Sequence, residues 1–142
     1  MRNNSTKTNE CVIHFLYGYD ITGALIDPSD LKFTMKLLLV SKTRVQAARQ
    51  LATEIVDKIE LIDKDIENIS TDYELERVSK IDLAILRWAF FLHDSKKIER
   101  TTDLINEAIR LSKKISTKEA SKFIHAILDG KTREEKSGDE ES

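Results

Sequence analysis

The chain has 142 residues, 40% of them hydrophobic, with four glycines and one proline. So few turn residues argue against an all-β domain, and this length gives one domain or two small sub-bundles with a real core. The 23 basic and 25 acidic residues nearly cancel, so net charge alone identifies no partner.

The charges are unevenly distributed along the chain. Residues 32–49 contain five basic side chains and no acid, whereas residues 54–76 contain nine acids and two lysines. Residues 77–122 contain eleven basic and six acidic side chains. This asymmetry is expected when one face of a protein meets an anion.

Cysteine usage and hydropathy predict the compartment. Cys11 is a single cysteine and can form no internal disulfide, and the chain contains no apolar run of membrane-spanning length and no secretory signal. We therefore expect a cytoplasmic protein that makes no contact with a membrane.

The first half of the chain has the apolar spacing of three helices. Residues 8–19 form the first. Residues 30–40 form a short helix with Phe33 and Leu37 inward, although its Leu-Leu-Leu-Val run also fits a buried strand. Residues 43–69 carry apolar side chains at strict three-four spacing, a pattern that coiled coils share. Because Ser70-Thr71 and a second helix start end the segment, a helix of an intramolecular bundle is favoured over a dimeric coiled coil.

Residues 81–92, Ile-Asp-Leu-Ala-Ile-Leu-Arg-Trp-Ala-Phe-Phe-Leu, predict the central helix of the molecule. A helix that is apolar on every side is buried inside a core. Ser79 and Asp82 form a variant capping box at its start. Arg87 must be paired if it is buried, with Glu107 or Asp82 as candidate partners.

Short helices over residues 73–78 and 104–115 flank the central helix along the chain. Ser116 and Glu119 form a capping box that opens the last helix, and Gly130 is its C-terminal stop. The sequence thus predicts an all-α fold of about seven helices in a domain of residues 1–130. Residues 131–142 are predicted to be a disordered, charged tail.

Four segments resemble the NusB family of bacterial transcription antitermination proteins. They are L-E-R-V-S-K-I-D-L-A-I-L-R (residues 75–87), I-N-E-A-I-R-L-S-K-K (105–114), S-K-F-I-H-A-I-L-D (121–129) and N-E-C-V-I-H-F-L-Y (9–17). The resemblance implies a NusB-like fold of two small, packed helical sub-bundles and a non-catalytic role. It also implies binding of boxA-type single-stranded RNA from ribosomal RNA transcripts, together with the ribosomal protein NusE, in the transcription elongation complex.

The resemblance assigns the RNA contact to the start of the last helix, with a contribution from the N-terminus. The residues are Arg2, Lys7, Lys118, Glu119, Lys122 and Phe123. Lysines bind phosphates and an aromatic ring stacks on a base. From spacing alone, a structural role fits the same residues: Glu119 completes a helix cap, Phe123 is core and the lysines are solvated. Arg2 and Lys7 lie in a polar leader with few basic residues.

Two further residues are assigned to a protein-partner surface. Glu107 belongs to the I-N-E-A segment, and Leu92 stands where the family usually has a glutamate. If the thin leader and the missing carboxylate have abolished RNA contact, the chain is instead a NusB-fold protein-interaction module. A homodimer is compatible with either reading.

Catalytic motifs are weak in this sequence. Cys11 and His14 lie one turn apart, but no second Cys/His pair completes a zinc site, and there is no Gly-rich phosphate loop. We therefore expect neither an enzyme nor a cofactor or metal site.

Overall fold

The computed structural model describes the backbone of residues 2–71, 74–98 and 100–141, and the side chains of residues 6–71, 74–98 and 100–133. Within these ranges the chain forms seven α helices, two short 3-10 helices and no β strand. The all-α prediction is therefore confirmed. The chain divides into two compact units, Met1–Lys58 and Ile59–Ser142.

The first unit consists of α1 (Arg2–Thr22), α2 (Leu31–Leu38) and α3 (Lys42–Asp57), with a 3-10 turn at Pro28–Asp30 before α2. Helix α1 packs along α3, and α2 contacts both. The fully buried side chains that join α1 to α3 follow the helical period in the sequence. They are Cys11, Val12, Ile13, Leu16, Val45, Ala48, Ala52 and Ile55.

Two predictions for this unit are wrong. Helix α1 begins at Arg2 and not near residue 8, so Lys7 lies on a helix and not in a flexible leader. Phe33 and Leu37 are exposed, because α2 turns Leu31 and Thr34 to the core instead. The apolar run contains the last two residues of α2, its left-handed cap Leu39 and then Val40, so no strand forms there.

The periodic segment 43–69 is two helices. Helix α3 stops at Asp57, and Lys58 leaves helical geometry with φ −114° and ψ 14°. Helix α4 (Ile59–Ile69) then begins the second unit. The start also differs from the prediction, because the Ser41 hydroxyl accepts the N–H of Arg44 at 3.3 Å and caps α3.

The second unit is organised around α5 (Lys80–Asp94), which contacts α4, α6 (Thr101–Ile115) and α7 (Lys118–Glu141). Every residue from Asp82 to Leu92 is buried. This confirms that residues 81–92 are the central helix. The predicted helix over residues 73–78 is a 3-10 turn at Leu75–Arg77, and Tyr73 lies outside the described residues.

A buried ion pair joins α5 to α4. The Arg87 guanidinium donates from Nε and Nη2 to the two carboxylate oxygens of Asp63, both at 2.8 Å. The expected partner was Glu107 or Asp82. Asp63 pairs with Arg87 because α4 packs against α5. The two residues are 24 positions apart, so the sequence alone does not indicate the pairing.

Helix α7 does not stop at Gly130 but continues to Glu141. A Cβ at Gly130 would lie 3.1 Å from Cγ2 of Ile69, so the glycine permits close approach of α7 to α4. Lys131 binds Asp65 and Asp94, with Nζ–O distances of 2.5 and 2.8 Å. The predicted helix stop at Gly130 is therefore wrong. The disorder of residues 131–142 stays a prediction, since the side chains of residues 134–142 lie outside the description.

Candidate nucleic-acid interface

A cleft of about 360 Å³ opens in the second unit where α5 and α7 begin and the 3-10 turn passes. Its lining side chains come from two segments that are distant in sequence, residues 74–82 and residues 117–123. They are Glu74, Arg77, Val78, Ser79, Asp82, Thr117, Glu119, Ala120 and Phe123. Two of the predicted RNA-contacting residues, Glu119 and Phe123, therefore lie on one concave surface.

Helix capping fixes the walls of this cleft. The Ser79 hydroxyl accepts the N–H of Asp82 at 3.1 Å, and the Thr117 hydroxyl accepts the N–H of Ala120 at 3.0 Å. The last helix is thus capped by Thr117 and not by Ser116. This one-residue shift places Glu119 on the cleft wall, where its side chain is exposed.

Asp82 has a role here beyond the capping box that the sequence predicts for it. Its side chain lines the cleft while the residue is only 8% exposed, and its Oδ1 has no hydrogen-bond partner among the described residues. A glutamate at this position of a capping box reaches back to the cap. Aspartate is one methylene shorter, and this difference was the signal available in the sequence.

Phe123 is half-buried, so part of its ring faces the cleft and part packs inside the unit. Lys118 and Lys122 are exposed on the same helix, one turn apart. The ring can stack on a base while the lysines meet phosphates outside the cleft. The structural alternative, in which Phe123 is wholly core and Glu119 caps Ser116, does not describe this geometry.

The interior of the cleft is acidic. Glu74, Asp82 and Glu119 supply three carboxylates against one guanidinium, and that guanidinium, Arg77, lies 3.4 Å from Glu74 in an exposed pair. A phosphate inside the cleft would meet this negative charge. The cleft therefore suits a group that donates hydrogen bonds, and phosphates suit the exposed lysines of α7 outside the cleft.

The N-terminal candidates are not part of this cleft. Lys7 lies on α1 in the first unit, where it is partly exposed, and the side chain of Arg2 lies outside the described residues.

The two residues assigned to a protein partner have different surroundings. Glu107 binds the Arg110 guanidinium on its own helix, at 2.6 Å to Nε and 3.2 Å to Nη2. Leu92 is only 8% exposed in the core of the second unit. Its burial leaves little of the side chain for a partner, so the interpretation of Leu92 as a surface residue is wrong.

Cys11 and His14 have the chemistry of core residues. Burial, together with the charge of Glu10, raises the pKa of Cys11 to about 11, so the thiol stays protonated at neutral pH. Burial also lowers the pKa of His14. No group of three or more His, Cys, Asp or Glu residues within the described parts of the chain is placed to hold a metal ion. None of the described helices is both long and apolar enough to cross a membrane.

Comparison with known proteins gives a consistent result along nearly the whole chain. The model of the NusB family matches residues 6–133. The chain is 30% identical to the transcription antitermination protein NusB of a Thermoanaerobacter species, over 93% of this chain and 92% of the relative. It is 31% identical to the NusB of a Nitratiruptor species, over 96% of each chain.

Solved structures share the fold. A chain in a crystal structure of the antitermination factors NusB and NusE in complex with dsRNA superposes with a TM-score of 0.75 at 22% identity, covering 91% of this chain and 96% of that one. T. maritima NusB gives a TM-score of 0.70 at 24% identity, covering 87% of both chains. The NusB-like fold predicted from the sequence is confirmed.

Proposed function

This chain belongs to the NusB family, and from that premise we propose that it is a transcription antitermination factor that binds RNA together with NusE. The family is one of RNA-binding transcription factors and not of enzymes. The RNA that we propose is the boxA-type sequence of ribosomal RNA transcripts, bound in the cytoplasm within the transcription elongation complex. The observation that carries the proposal is the cleft at Phe123, together with the exposed Lys118 and Lys122 on the same helix.

The proposed contact divides into a base site and a phosphate track. The half-buried ring of Phe123 offers a stacking surface for one unpaired base. Beside it, Asp82 is only 8% exposed, and its buried Oδ1 has no hydrogen-bond partner among the described residues. An ionised carboxylate only accepts hydrogen bonds, so Asp82 suits the amino group of a base and disfavours a phosphate.

Lys118 and Lys122 provide the phosphate track on the exposed side of α7. The carboxylates of the cleft repel the phosphates of the RNA, and the two exposed lysines bind them outside the cleft. Two lysines on this surface support only weak binding by the chain alone, so NusE is expected to add contacts.

An RNA titration tests the proposal. Affinity of a boxA-like RNA oligonucleotide is measured by fluorescence anisotropy at several salt concentrations, with and without NusE. With about three phosphate contacts the slope of log affinity against log salt is near −2 on single strands. Lys122→Ala reduces that slope by about 0.7 and weakens all sequences alike, because a phosphate contact carries no base information.

Phe123→Leu separates stacking from charge. The variant is expected to lose about 1–3 kcal/mol of binding free energy while the salt slope stays unchanged. Lys113→Ala is the matched control for Lys122→Ala, since Lys113 is an exposed lysine of the same unit on α6 and not on α7. Helicity and thermal melting confirm that each variant folds. A salt slope that ignores Lys122, or a Phe123→Leu affinity equal to wild type, contradicts the RNA site.

The competing function is a NusB-fold protein-interaction module without RNA binding. The acidity of the cleft favours it, because three carboxylates there oppose a polyanion. Under this alternative NusE binds with no boxA RNA present, and adding the RNA changes neither the affinity nor the stoichiometry. Sedimentation of the same samples tests the homodimer.

A further inference from the structure

Helix α2 exposes large apolar side chains on the side away from its own core. Phe33 is 66% exposed and Leu37 is 54% exposed. The two residues are four apart, so they lie on the same face of the helix. Leu31 and Thr34, which are buried, lie on a neighbouring part of the helix circumference. An apolar surface turned to solvent in this way marks an interaction site more often than it marks packing.

Leu39 extends this surface at an energetic cost. It caps α2 in the left-handed conformation, with φ 55° and ψ 53°, and its N–H and that of Val40 both point to the carbonyl of Met35. Glycine is the usual residue at such a cap because a side chain is strained there. Leu39 nonetheless is 80% exposed and makes the cap more apolar than glycine would. An exposed apolar side chain held in a strained backbone conformation indicates a function.

The charged side chains from Leu31 to Ser41 are of one sign, and the exposed Asp30 precedes them. Lys32 and Lys36 are exposed beside Phe33 and Leu37, and no acidic residue occurs between Leu31 and Ser41. We call Lys32, Phe33, Lys36, Leu37 and Leu39 the α2 face. A symmetric contact between the α2 faces of two copies would bring lysines against lysines, which disfavours a second copy.

RNA also fits the α2 face poorly. Leucine offers a nucleic acid neither a hydrogen bond nor an aromatic stacking surface, and Leu37 and Leu39 make up much of the apolar area. An amphipathic protein helix matches both properties, since its apolar residues fill the space along Phe33 and Leu37 and its carboxylates meet the lysines.

We propose that the α2 face docks an acidic amphipathic helix of a partner protein. This site lies on the first unit and is independent of the proposed RNA cleft, which lies on the second. The two proposals therefore fail separately.

The test uses a synthetic peptide as the probe. The peptide has about sixteen residues, long enough to form a helix on binding, with leucines at three-four spacing and glutamates between them. Its matched control has serine in place of every leucine and the same charge. Binding to the full chain is followed by amide NMR shifts and by anisotropy of a labelled peptide.

We expect the Leu/Glu peptide to shift the amides of α2 and the Ser/Glu control to bind far more weakly. Phe33→Ser/Leu37→Ser is expected to weaken the Leu/Glu peptide by about tenfold or more, as loss of central apolar anchors does. Leu61→Ser is the control variant, because Leu61 is an exposed leucine of α4, 71% exposed, outside the α2 face. RNA affinity of both variants stays at the wild-type value.

Four outcomes overturn the proposal. The Leu/Glu peptide does not bind, or it binds Phe33→Ser/Leu37→Ser as tightly as wild type. BoxA-like RNA or vesicles containing phosphatidylserine shift the α2 amides at lower concentration than the peptide does. Sedimentation shows a dimer of the wild type that Phe33→Ser/Leu37→Ser abolishes, which assigns the α2 face to a second copy.

Discussion

Helices α5 and α2 are both rich in apolar residues on all sides, yet the two units use them differently. In the second unit α5 is covered by α4, α6 and α7, and Trp88 and Phe90 are both fully buried. In the first unit α2 contacts only α3 and α1 among the helices of its own unit, and Phe33 faces solvent. The difference shows that apolar composition gives a helix the capacity for burial, while the number of neighbouring helices decides how much of it is used.

The largest expected contrast between the units comes from truncating one aromatic residue in each. Trp88→Ala should lower the free energy of unfolding by about 3–5 kcal/mol, because it empties a large, enclosed volume. Phe33→Ala should change that free energy by about 0.5 kcal/mol or less, since the site is mostly solvated. Urea denaturation monitored by circular dichroism measures both.

Trp88→Phe is the conservative control for this contrast. The indole N–H of Trp88 has no hydrogen-bond partner among the described residues, so the substitution loses volume but no such bond. Its cost should fall to about 1.5 kcal/mol or less. Equal losses for Trp88→Ala and Phe33→Ala would show that the two helices are covered alike.

The next contrast concerns how each unit satisfies a partly buried arginine. In the second unit Asp63→Ala leaves the Arg87 charge without this carboxylate and should cost about 2–3 kcal/mol, below the cost for a fully buried pair because the Asp63 side chain is 27% exposed. In the first unit Arg49 donates to the carbonyl of Ile26 at 2.7 Å, and Arg49→Met should cost about 1 kcal/mol. Thermal melts and urea midpoints compare the two.

Glu107→Gln is the matched control for the Arg87 pair. Glu107 pairs with Arg110 on its own helix, so neutralising it should cost about 1 kcal/mol or less. A larger loss from Glu107→Gln than from Asp63→Ala would restore Glu107 as the partner of Arg87.

A smaller and pH-dependent effect is expected at Lys131 in the second unit. Burial disfavours the charged amine, but hydrogen bonds and charges from Asp65 and Asp94 outweigh this, so the pKa of Lys131 is raised above 10.5. Its Nζ also lies 5.3 Å from the centroid of the Phe90 ring. Because the folded-state pKa is the higher one, this stabilisation is complete below about pH 10.5 and is lost as the pH rises through the folded-state value.

Lys131→Met should therefore cost about 1–2 kcal/mol at pH 7 and should reduce the loss of stability at alkaline pH. Amide hydrogen exchange would locate the effect, with faster exchange in α4 and α7 than in α1 and α3. Removal of residues 131–142 should destabilise the protein for the same reason. A variant whose alkaline unfolding curve matches wild type would contradict this assignment.

The smallest expected effect compares one helical glycine in each unit. Gly18→Ala in α1 should raise the stability by about 0.5–1 kcal/mol, because alanine favours the helix and no atom lies within 4 Å of the added Cβ. Gly130→Ala in α7 gains the same propensity but places its Cβ 3.1 Å from the Ile69 side chain. Calorimetry should therefore find the larger gain at Gly18, and the reverse order would show that α4 and α7 are less closely packed.

Local sequence was sufficient for most of the helices. Apolar period predicted α5 and α6 near their observed bounds and the middle of α1, because each helix forms its hydrogen bonds within one segment. The apolar side chains on every face of residues 81–92 predicted the central helix of the second unit. The order of the motifs along the chain predicted the NusB-like fold. The last helix was predicted to contain Phe123 and two lysines.

Features that depend on contacts between distant segments could not be derived in the same way. The inward face of α2 and the pairing of Arg87 with Asp63 each follow from the position of a neighbouring helix. The apolar spacing continues through the break at Lys58 and does not reveal it. Gly130 has the sequence signature of a helix end, yet it serves helix packing against Ile69.

The candidate site divides along the same line. Residue type and the family resemblance indicated Phe123, Lys118 and Lys122 as the proposed RNA-contacting residues, because stacking and phosphate binding depend on residue type. Only the tertiary structure brought Asp82 to the cleft beside Phe123, since the two belong to helices 41 positions apart in sequence. The net charge of that cleft depends on segments that come together only after folding, so it cannot be predicted from the local sequence of either segment.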